Sequence, residues 1–365
     1  MMLDDEVTRR KMLHSVEELL APETLTRIAG QPVETIREAP LEEQSGAWSG
    51  SALTVIEVSL MGGESRRYVL KRVSAAWDYF MRATNDRLGR EASIWEAGLL
   101  DRLPSELGHA YLACARGGDG WAILMRDIGP ELILNRSAIA QDEHLAILNG
   151  LASMHAAYWD APELVDASIG LCPPDIHYSI ISPATARRNA DAPGVMPLAA
   201  RQGWENLATF LPADLFDICL SLTNEPGPLV AALARYPMTL VHGDARIANI
   251  AIEHHAGKPR ATLIDWAIAG VNAATLDLVW YLGARTPWLP GDRELAMDTY
   301  RDALQRQLGN RFDPAWWQPM LDLSILGGLI RFGWYTASEI QRGGEQARAD
   351  LAWWAERARA GVERM

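Results

Sequence analysis

The spacing of apolar residues divides the chain into three stretches. Over residues 8–37, Val16, Leu19, Leu20, Leu25 and Ile28 recur at helical intervals, which predicts short amphipathic helices as an N-terminal prelude. The period then shortens. Leu53 to Leu60 is an apolar run, Met61-Gly62-Gly63-Glu64-Ser65 a turn, and Tyr68 to Val73 a second run, together a hairpin. Leu88, Ala92, Trp95, Leu99 and Leu100 return to helical spacing over 86–103. Tyr111 to Cys114 and Trp121 to Met125 read as two more strands, joined by Gly117-Gly118-Asp119-Gly120. Residues 41–127 are therefore expected to form a small sheet with one helix inserted.

The remainder is mainly helical in pattern. Residues 138–158 predict a long helix ending near Met154-His155-Ala156-Ala157-Tyr158. Residues 160–199 are rich in Pro, Asp and Ala without a clean period, an excursion of the kind that faces substrate or forms a lid. Helical patterns return over 200–234 and 271–361. Between them lies a strand pair, Asn249 to Glu253 and Ala261 to Asp265, with a turn from His254 to Arg260. The expected division is a helical prelude at 1–40, a first lobe at 41–127 and a helical second lobe at 128–365. Eight tryptophans follow residue 260, so the C-terminal helices carry either a packed aromatic core or an aromatic ligand wall.

Composition narrows the classes of function. Apolar residues at 48% and charged residues at 22% describe a globular chain rather than a disordered one. A net charge of −13 disfavours a nucleic-acid binder, which needs a basic face. Cys114, Cys172 and Cys219 are scattered without ligand-like spacing, which points away from disulfides and cysteine-bound zinc and toward a reducing cytoplasm. The acidic start lacks the pattern of a secretion signal, and no run of apolar residues is long enough to span a membrane.

The chemistry concentrates in Leu240-Val241-His242-Gly243-Asp244-Ala245-Arg246-Ile247-Ala248-Asn249, followed by Leu263-Ile264-Asp265-Trp266. Asp244 follows a strand-like run and a glycine, where a carboxylate can face a cleft. A tight hairpin brings Asn249 near Asp265, and their oxygens are the hard ligands magnesium takes. Asp244, left over, can accept the proton of a substrate hydroxyl. His242 is expected to pack under the loop rather than act as a base. Lys71 stands in a half-buried strand, where a lysine costs stability unless paired. Glu91, near the start of the next helix, is a partner that would hold the ammonium toward nucleotide phosphates, with Glu96 as its rival. The plain alternative is an exposed lysine whose stem covers apolar surface. Gly46-Ala47-Trp48-Ser49-Gly50-Ser51 precedes the hairpin, and Ser49 and Gly50 there suit a backbone that approaches phosphates closely. It matches neither a Walker loop nor a dinucleotide fingerprint.

In this order, the pieces resemble the aminoglycoside phosphotransferase and choline-kinase-like superfamily over roughly residues 40–340. The family loop His-Gly-Asp-x-x-x-x-Asn is met by His242, Gly243, Asp244 and Asn249, and its metal-binding aspartate by Asp265 before Trp266. Asp277-Leu278 matches a pair that braces the loop, and Leu151-Ala152-Ser153-Met154-His155-Ala156 a typical helix. The resemblance implies an α+β, bilobal protein-kinase-like fold. A five-stranded antiparallel sheet with one helix would form the N-lobe and a larger, mainly helical C-lobe would carry the catalytic hairpin. It also implies a hinge near Asp127, with Met125 and Ile128 beside the adenine. Many members carry His and Pro where this chain has Arg246 and Ile247. Arg246 is open to three partners, a substrate acid, the γ-phosphate or Asp265, or to a role as a strut of the loop.

What this implies is a kinase that uses ATP and Mg2+ to phosphorylate a hydroxyl of a small molecule. The nucleotide would meet Ser49, Gly50, Lys71, Glu91, Met125, Asp127 and Ile128. The metal would sit on Asn249 and Asp265, and Asp244 and Arg246 would serve catalysis. The acceptor is left among aminoglycosides, amino alcohols, sugars and hydroxy-acids, with the net charge favouring a cationic or neutral one. Asp160, Glu163, Asp166, Asp175 and Asp191 are the acids, and Arg187, Arg188 and Arg201 the bases, of the expected acceptor region. The alternative is a non-catalytic, pseudokinase-like nucleotide-binding module. No nucleic acid or membrane partner is expected, and the chain reads as a monomer or a homodimer.

Overall fold

The computed structural model describes residues 10–41, 49–136, 138–283 and 289–365. Gly46, Ala47 and Trp48 of the glycine-bearing stretch lie outside the described residues.

The chain begins with two short helices, α1 (Val16–Leu19) and α2 (Pro22–Ala29). Residues 33–40, expected to close a helical prelude, instead form strand β1 (Val33–Pro40). β1 pairs antiparallel with β2 (Ala52–Leu60), which offers its backbone a ladder that local helical spacing does not reveal. β2 continues through the glycine turn into β3 (Ser65–Val73). The short helix α3 (Tyr79–Ala83) and then α4 (Arg90–Glu96) follow. β4 (Leu107–His109), β5 (Tyr111–Gly117) and β6 (Gly120–Arg126) complete this half. The N-lobe sheet has the order β1-β2-β3-β6-β5 and is antiparallel throughout. Lys71 sits in its central strand, paired with Leu53 on one side and Ile123 on the other.

The C-lobe is built on helices. α5 (Gln141–Ala157) is followed by α6 (Pro174–Ser179) and α7 (Pro183–Arg188) within the proline-rich excursion. Next come α8 (Met196–Phe210), α9 (Ala213–Asn224) and α10 (Gly227–Leu233). Then β7 (Thr239–Val241) leads into the loop that carries His242 to Asn249, and β8 (Ile250–His255) and β9 (Lys258–Leu263) form the hairpin. Here β4, too short to be read from periodicity, runs parallel to β9 and ties the lobes together. β10 (Gly270–Asn272) pairs antiparallel with β7. α11 (Thr275–Gly283), α12 (Arg293–Leu308), α13 (Pro314–Gln341) and α14 (Glu345–Arg364) close the fold.

α13 is apolar almost all round and runs through the centre of the C-lobe. Gly327 and Gly328 let it approach its neighbours, because a Cβ at either would stand 2.4 Å from the Tyr178 ring or 2.3 Å from Val279. Trp266, Trp280, Trp317, Trp334 and Trp354 are buried, so the late tryptophans are chiefly core. No helix among the described residues is long and apolar enough to cross a membrane.

The lobes are held closed on one side. The Tyr79 hydroxyl of α3 donates to Ile180 O at 2.8 Å, and Arg82 pairs with Asp191 at 2.8 Å. Arg90 of α4, buried, donates to Ala267 O at 2.7 Å and Gly170 O at 2.8 Å. The helix of the N-lobe is thus pinned to the loop that follows Asp265.

Candidate active site

The centre of the cleft is an ion triangle. Lys71 Nζ lies 2.8 Å from Glu91 Oε2 and 2.7 Å from Asp265 Oδ1. The partner is Glu91, not Glu96, which turns instead to the Met12 amide. Lys71 and Glu91 are buried while Asp265 keeps a third of its side chain exposed, so the triangle opens on Asp265. Burial opposes the charge on Lys71, but the two carboxylates outweigh it and hold the ammonium's pKa above its ordinary value. Burial pushes the Glu91 carboxyl up, whereas at Asp265 the ammonium overcomes burial and holds the carboxyl low. The Tyr111 hydroxyl donates to Glu91 Oε1 and accepts from the Trp266 amide at 3.2 Å, bridging α4 to the residue after Asp265.

Asp265 lies just beyond β9 at φ 65°, a left-handed conformation that aspartate tolerates better than most residues and that recurs at functional sites. Across the hairpin, Ile264 N donates to Asn249 O at 3.0 Å, which sets Asn249 beside Asp265 as its spacing implied. The Asn249 amide nitrogen donates to Asp244 O at 2.9 Å and to Asp244 Oδ2 at 3.0 Å. This turns the amide oxygen the other way. Among the described residues that oxygen has no protein donor. An amide oxygen and a carboxylate such as that of Asp265 are the hard oxygens that suit a magnesium ion.

The loop is braced from beneath. Asp277 at the start of α11 accepts from His242 N at 2.7 Å and Gly243 N at 2.9 Å, and its Oδ2 lies 3.1 Å from His155 Nε2. Burial would raise the Asp277 carboxyl, yet the His155 hydrogen bond and these amides hold it low. Gly243 has φ 79°, and a Cβ there would stand 2.4 Å from Ile268 O, so this position takes glycine alone. His242 is fully buried, its Nε2 3.0 Å from Ile264 O and its ring edge-on to Trp266. It supports the loop and is closed off from the cleft.

Asp244 itself is buried, and its two oxygens face different ways. Oδ2 meets Asn249 and, at 3.1 Å, Arg246 Nε. Oδ1 faces Arg331 Nη2 of α13 across 4.0 Å. Arg246 thus pairs with Asp244 while 41% of its side chain stays exposed.

The remaining expected residues lie in the N-lobe and at the end of β6. Ser49 O accepts from Tyr79 N at 2.8 Å, and the Ser49 hydroxyl lies 3.0 Å from that of Ser51, which donates to the buried Asp78 at 2.6 Å. Gly50 has φ 91° and passes close to Trp77 O and Pro193 O. Met125 and Ile128 are buried at the end of β6, and Asp127 pairs with Arg67 at 3.0 Å and accepts from Gly129 N. Among the described residues, none of these hydrogen-bonds the catalytic group.

Reading the sequence missed Arg331, Tyr111, Arg90 and Asp78. Arg331 had a signal: it is the lone charge in the apolar run Leu326 to Tyr335. Tyr111 had none, since a strand tyrosine looks like core.

No family model matches the sequence, and no curated protein matches it. Solved structures do. A microcompartment-associated aminopropanol kinase superposes with a TM-score of 0.52 at 15% identity, over 95% of this chain and 100% of that one. A choline kinase from Cryptosporidium parvum gives a TM-score of 0.48 at 12% identity, over 91% of this chain and 90% of that one. An aminoglycoside phosphotransferase from Streptomyces rimosus, solved with ADP and streptomycin, gives 0.44 at 16%, over 79% and 94%. The chain shares the fold of the aminopropanol kinase, a bilobal, protein-kinase-like α+β architecture.

Proposed function

We propose that the chain is an ATP-dependent phosphotransferase that moves the γ-phosphate onto a hydroxyl of a small molecule. The observation that carries this is the convergence of Lys71, Glu91, Asp244, Asn249 and Asp265, from separate elements of two lobes, on one cleft. Lys71, oriented by Glu91, binds the α- and β-phosphates, and in doing so exchanges its bond to Asp265 for one to the nucleotide. Asn249 and Asp265 hold Mg2+, which when bound neutralises the phosphate oxygens. Asp244 orients the acceptor hydroxyl and takes its proton as the hydroxyl oxygen bonds to the γ-phosphorus. The bond from that phosphorus to the bridging oxygen breaks, and ADP leaves with the electron pair. Arg246, half exposed beside Asp244, meets the charge on the transferred group.

In this reading residues 41–127, with β1 added, serve as the nucleotide lobe, and residues 128–365 carry the catalytic loop and acceptor site. Ser49 and Gly50 flank the phosphates, and Met125, Asp127 and Ile128 border the adenine. All three cysteines are free and buried, which supports a reducing, cytoplasmic setting.

The test is calorimetry with Mg-ADP followed by coupled ADP-release assays with hydroxylated acceptors. Mg-dependent nucleotide binding and acceptor-stimulated ADP release are expected. Tight nucleotide binding with no stimulation by any acceptor would favour the non-catalytic module instead.

A further inference from the structure

The acceptor side of the cleft holds a charge the catalytic scheme does not use. Arg331 is 8% exposed, in the middle of an apolar helix. Among the described residues its guanidinium makes no hydrogen bond. Its Nε is buried without a partner, and its nearest carboxylate oxygen is Asp244 Oδ1 at 4.0 Å. The Trp280 ring lies 5.9 Å from its Cζ. A buried guanidinium is ordinarily satisfied, because removing it from water without hydrogen bonds is costly. Burial accordingly lowers its pKa from the usual arginine value.

The direction of Arg331 gives its purpose. Asp244 Oδ2 is occupied by Asn249 and Arg246, so an incoming hydroxyl meets Oδ1. Whatever carries that hydroxyl therefore lies against Arg331. An ammonium group there would face a guanidinium. An anionic group would give the guanidinium the hydrogen bonds it lacks.

The acids that would suit a cationic acceptor are engaged elsewhere. Asp160 caps the Met238 amide, Glu163 pairs with Arg102, Asp166 accepts from Ser168, and Asp191 pairs with Arg82. Asp175 is exposed at the start of α6. The site is also roofed, since Tyr79 reaches from the N-lobe to Ile180 and is fully buried.

We propose that the acceptor is a small hydroxylated anion, a carboxylate or a phosphate ester, whose anionic group is bound by Arg331 while a free hydroxyl is held by Asp244. This rests on the phosphotransferase reading and names the acceptor class of that site. It departs from the expectation drawn from net charge. In the reaction the anionic group passes through unchanged; only the hydroxyl oxygen bonds to phosphorus, its proton going to Asp244 and ADP departing. Arg331 is a specificity-determining residue.

The experiment separates binding from turnover. Glycerate, 3-hydroxybutyrate and glycerol 3-phosphate are titrated calorimetrically into protein saturated with Mg-ADP, against glycerol, 3-hydroxybutyramide, ethanolamine and 1-amino-2-propanol. Wild type is expected to bind an anionic member roughly 10- to 100-fold more tightly than its neutral or cationic counterparts, and R331M to erase that ratio. R331M should melt close to wild type, because losing the 4.0 Å ion pair with Asp244 is offset by no longer burying a guanidinium that makes no hydrogen bond. R331K keeps the charge and should retain part of the preference. Equal binding across the panel, preference for the amines, or an unchanged ratio in R331M would overturn the inference. ATP turnover with the same compounds is read separately. Anion binding without turnover would sink the phosphotransferase reading and leave the Arg331 site standing, whereas turnover confined to amines would do the reverse.

Discussion

The two faces of the cleft are charged in different ways. On the face proposed to meet the nucleotide, Lys71 is met by Glu91 and Asp265, and Glu91 in turn by Tyr111, so every charge has a partner. On the acceptor face Asp244 holds Arg246 at 3.1 Å, while Arg331 stands 4.0 Å away without a hydrogen bond. In the proposed mechanism the saturated cluster keeps a lysine poised and gives up one contact when phosphates arrive. An unsaturated one holds its hydrogen-bonding capacity for a ligand. The contrast teaches that burial alone does not mark a structural charge. What distinguishes the two clusters is how many of their donors are already bonded.

The strongest way to break the contrast is at its shared centre. Asp244→Asn should lower turnover by roughly 10²- to 10⁴-fold, the range for loss of a general base. ADP affinity, measured by calorimetry, should stay within about threefold, since Asp244 lies outside the Lys71 triangle. Wild-type turnover in this variant would remove Asp244 from the chemistry. At the triangle, Lys71→Met leaves the buried Glu91 and the partly exposed Asp265 carboxylates side by side without their ammonium. A stability loss of about 3–5 kcal/mol in urea unfolding is expected, together with loss of ADP binding. A variant as stable as wild type would mean that the triangle is not coupled.

The brace comes next. Asp277→Ala strands the His242 and Gly243 amides and should cost about 3 kcal/mol. Its kcat should fall more than its ADP affinity, because the loop that carries Asp244 loses its support. A change in neither would show the loop to be held by β7 and β10 alone.

Acid probes the C-lobe frame beneath the acceptor face. His177 Nε2 donates to Ile268 O and Nδ1 accepts from Asn272, so its hydrogen bonds fix the neutral ring. Burial pushes its pKa from 6.5 down to about 4. Between those values the unfolded chain takes up a proton that the folded chain refuses. Stability is therefore full above pH 6.5 and declines as pH falls from there toward 4. For His177 the loss at pH 5 is about 2 kcal/mol, and His109 and His144, also lowered to about 4 by burial, act in the same direction. Melting temperatures that hold flat from pH 7 to 4.5 would contradict this. The smallest effect is expected for Tyr111→Phe, which removes one hydroxyl from the link between Glu91 and Trp266 and should cost about 1 kcal/mol, with a modest rise in the KM for ATP.

Much of the site was legible because its residues fall within a short stretch. His242 to Asp265 is one loop and one hairpin, so spacing alone brings Asn249 to Asp265. Gly243 was read as part of the same loop, and its φ and the closeness of Ile268 O show why no side chain fits there. The fold was legible where one face of an element is buried, as in β2, β3 and α5. It failed where pairing is distant. β1 carries helical spacing yet joins β2, and the three residues of β4 find their partner in β9, more than 150 residues on. On the acceptor face, net charge and side-chain placement point in different directions. Net charge sums the whole surface, whereas Asp160, Glu163, Asp166 and Asp191 are tied up locally and Arg331 is not. Only three-dimensional placement shows which charges reach the hydroxyl.

The most direct test of the central claim, that both faces serve one phosphoryl transfer, is phosphorus NMR of the protein incubated with Mg-ATP and each small hydroxylated anion. The account expects a new phosphomonoester resonance that grows in step with ADP and is absent with Asp244→Asn. Inorganic phosphate as the sole new signal, or ATP left intact with every hydroxylated acceptor, would contradict it.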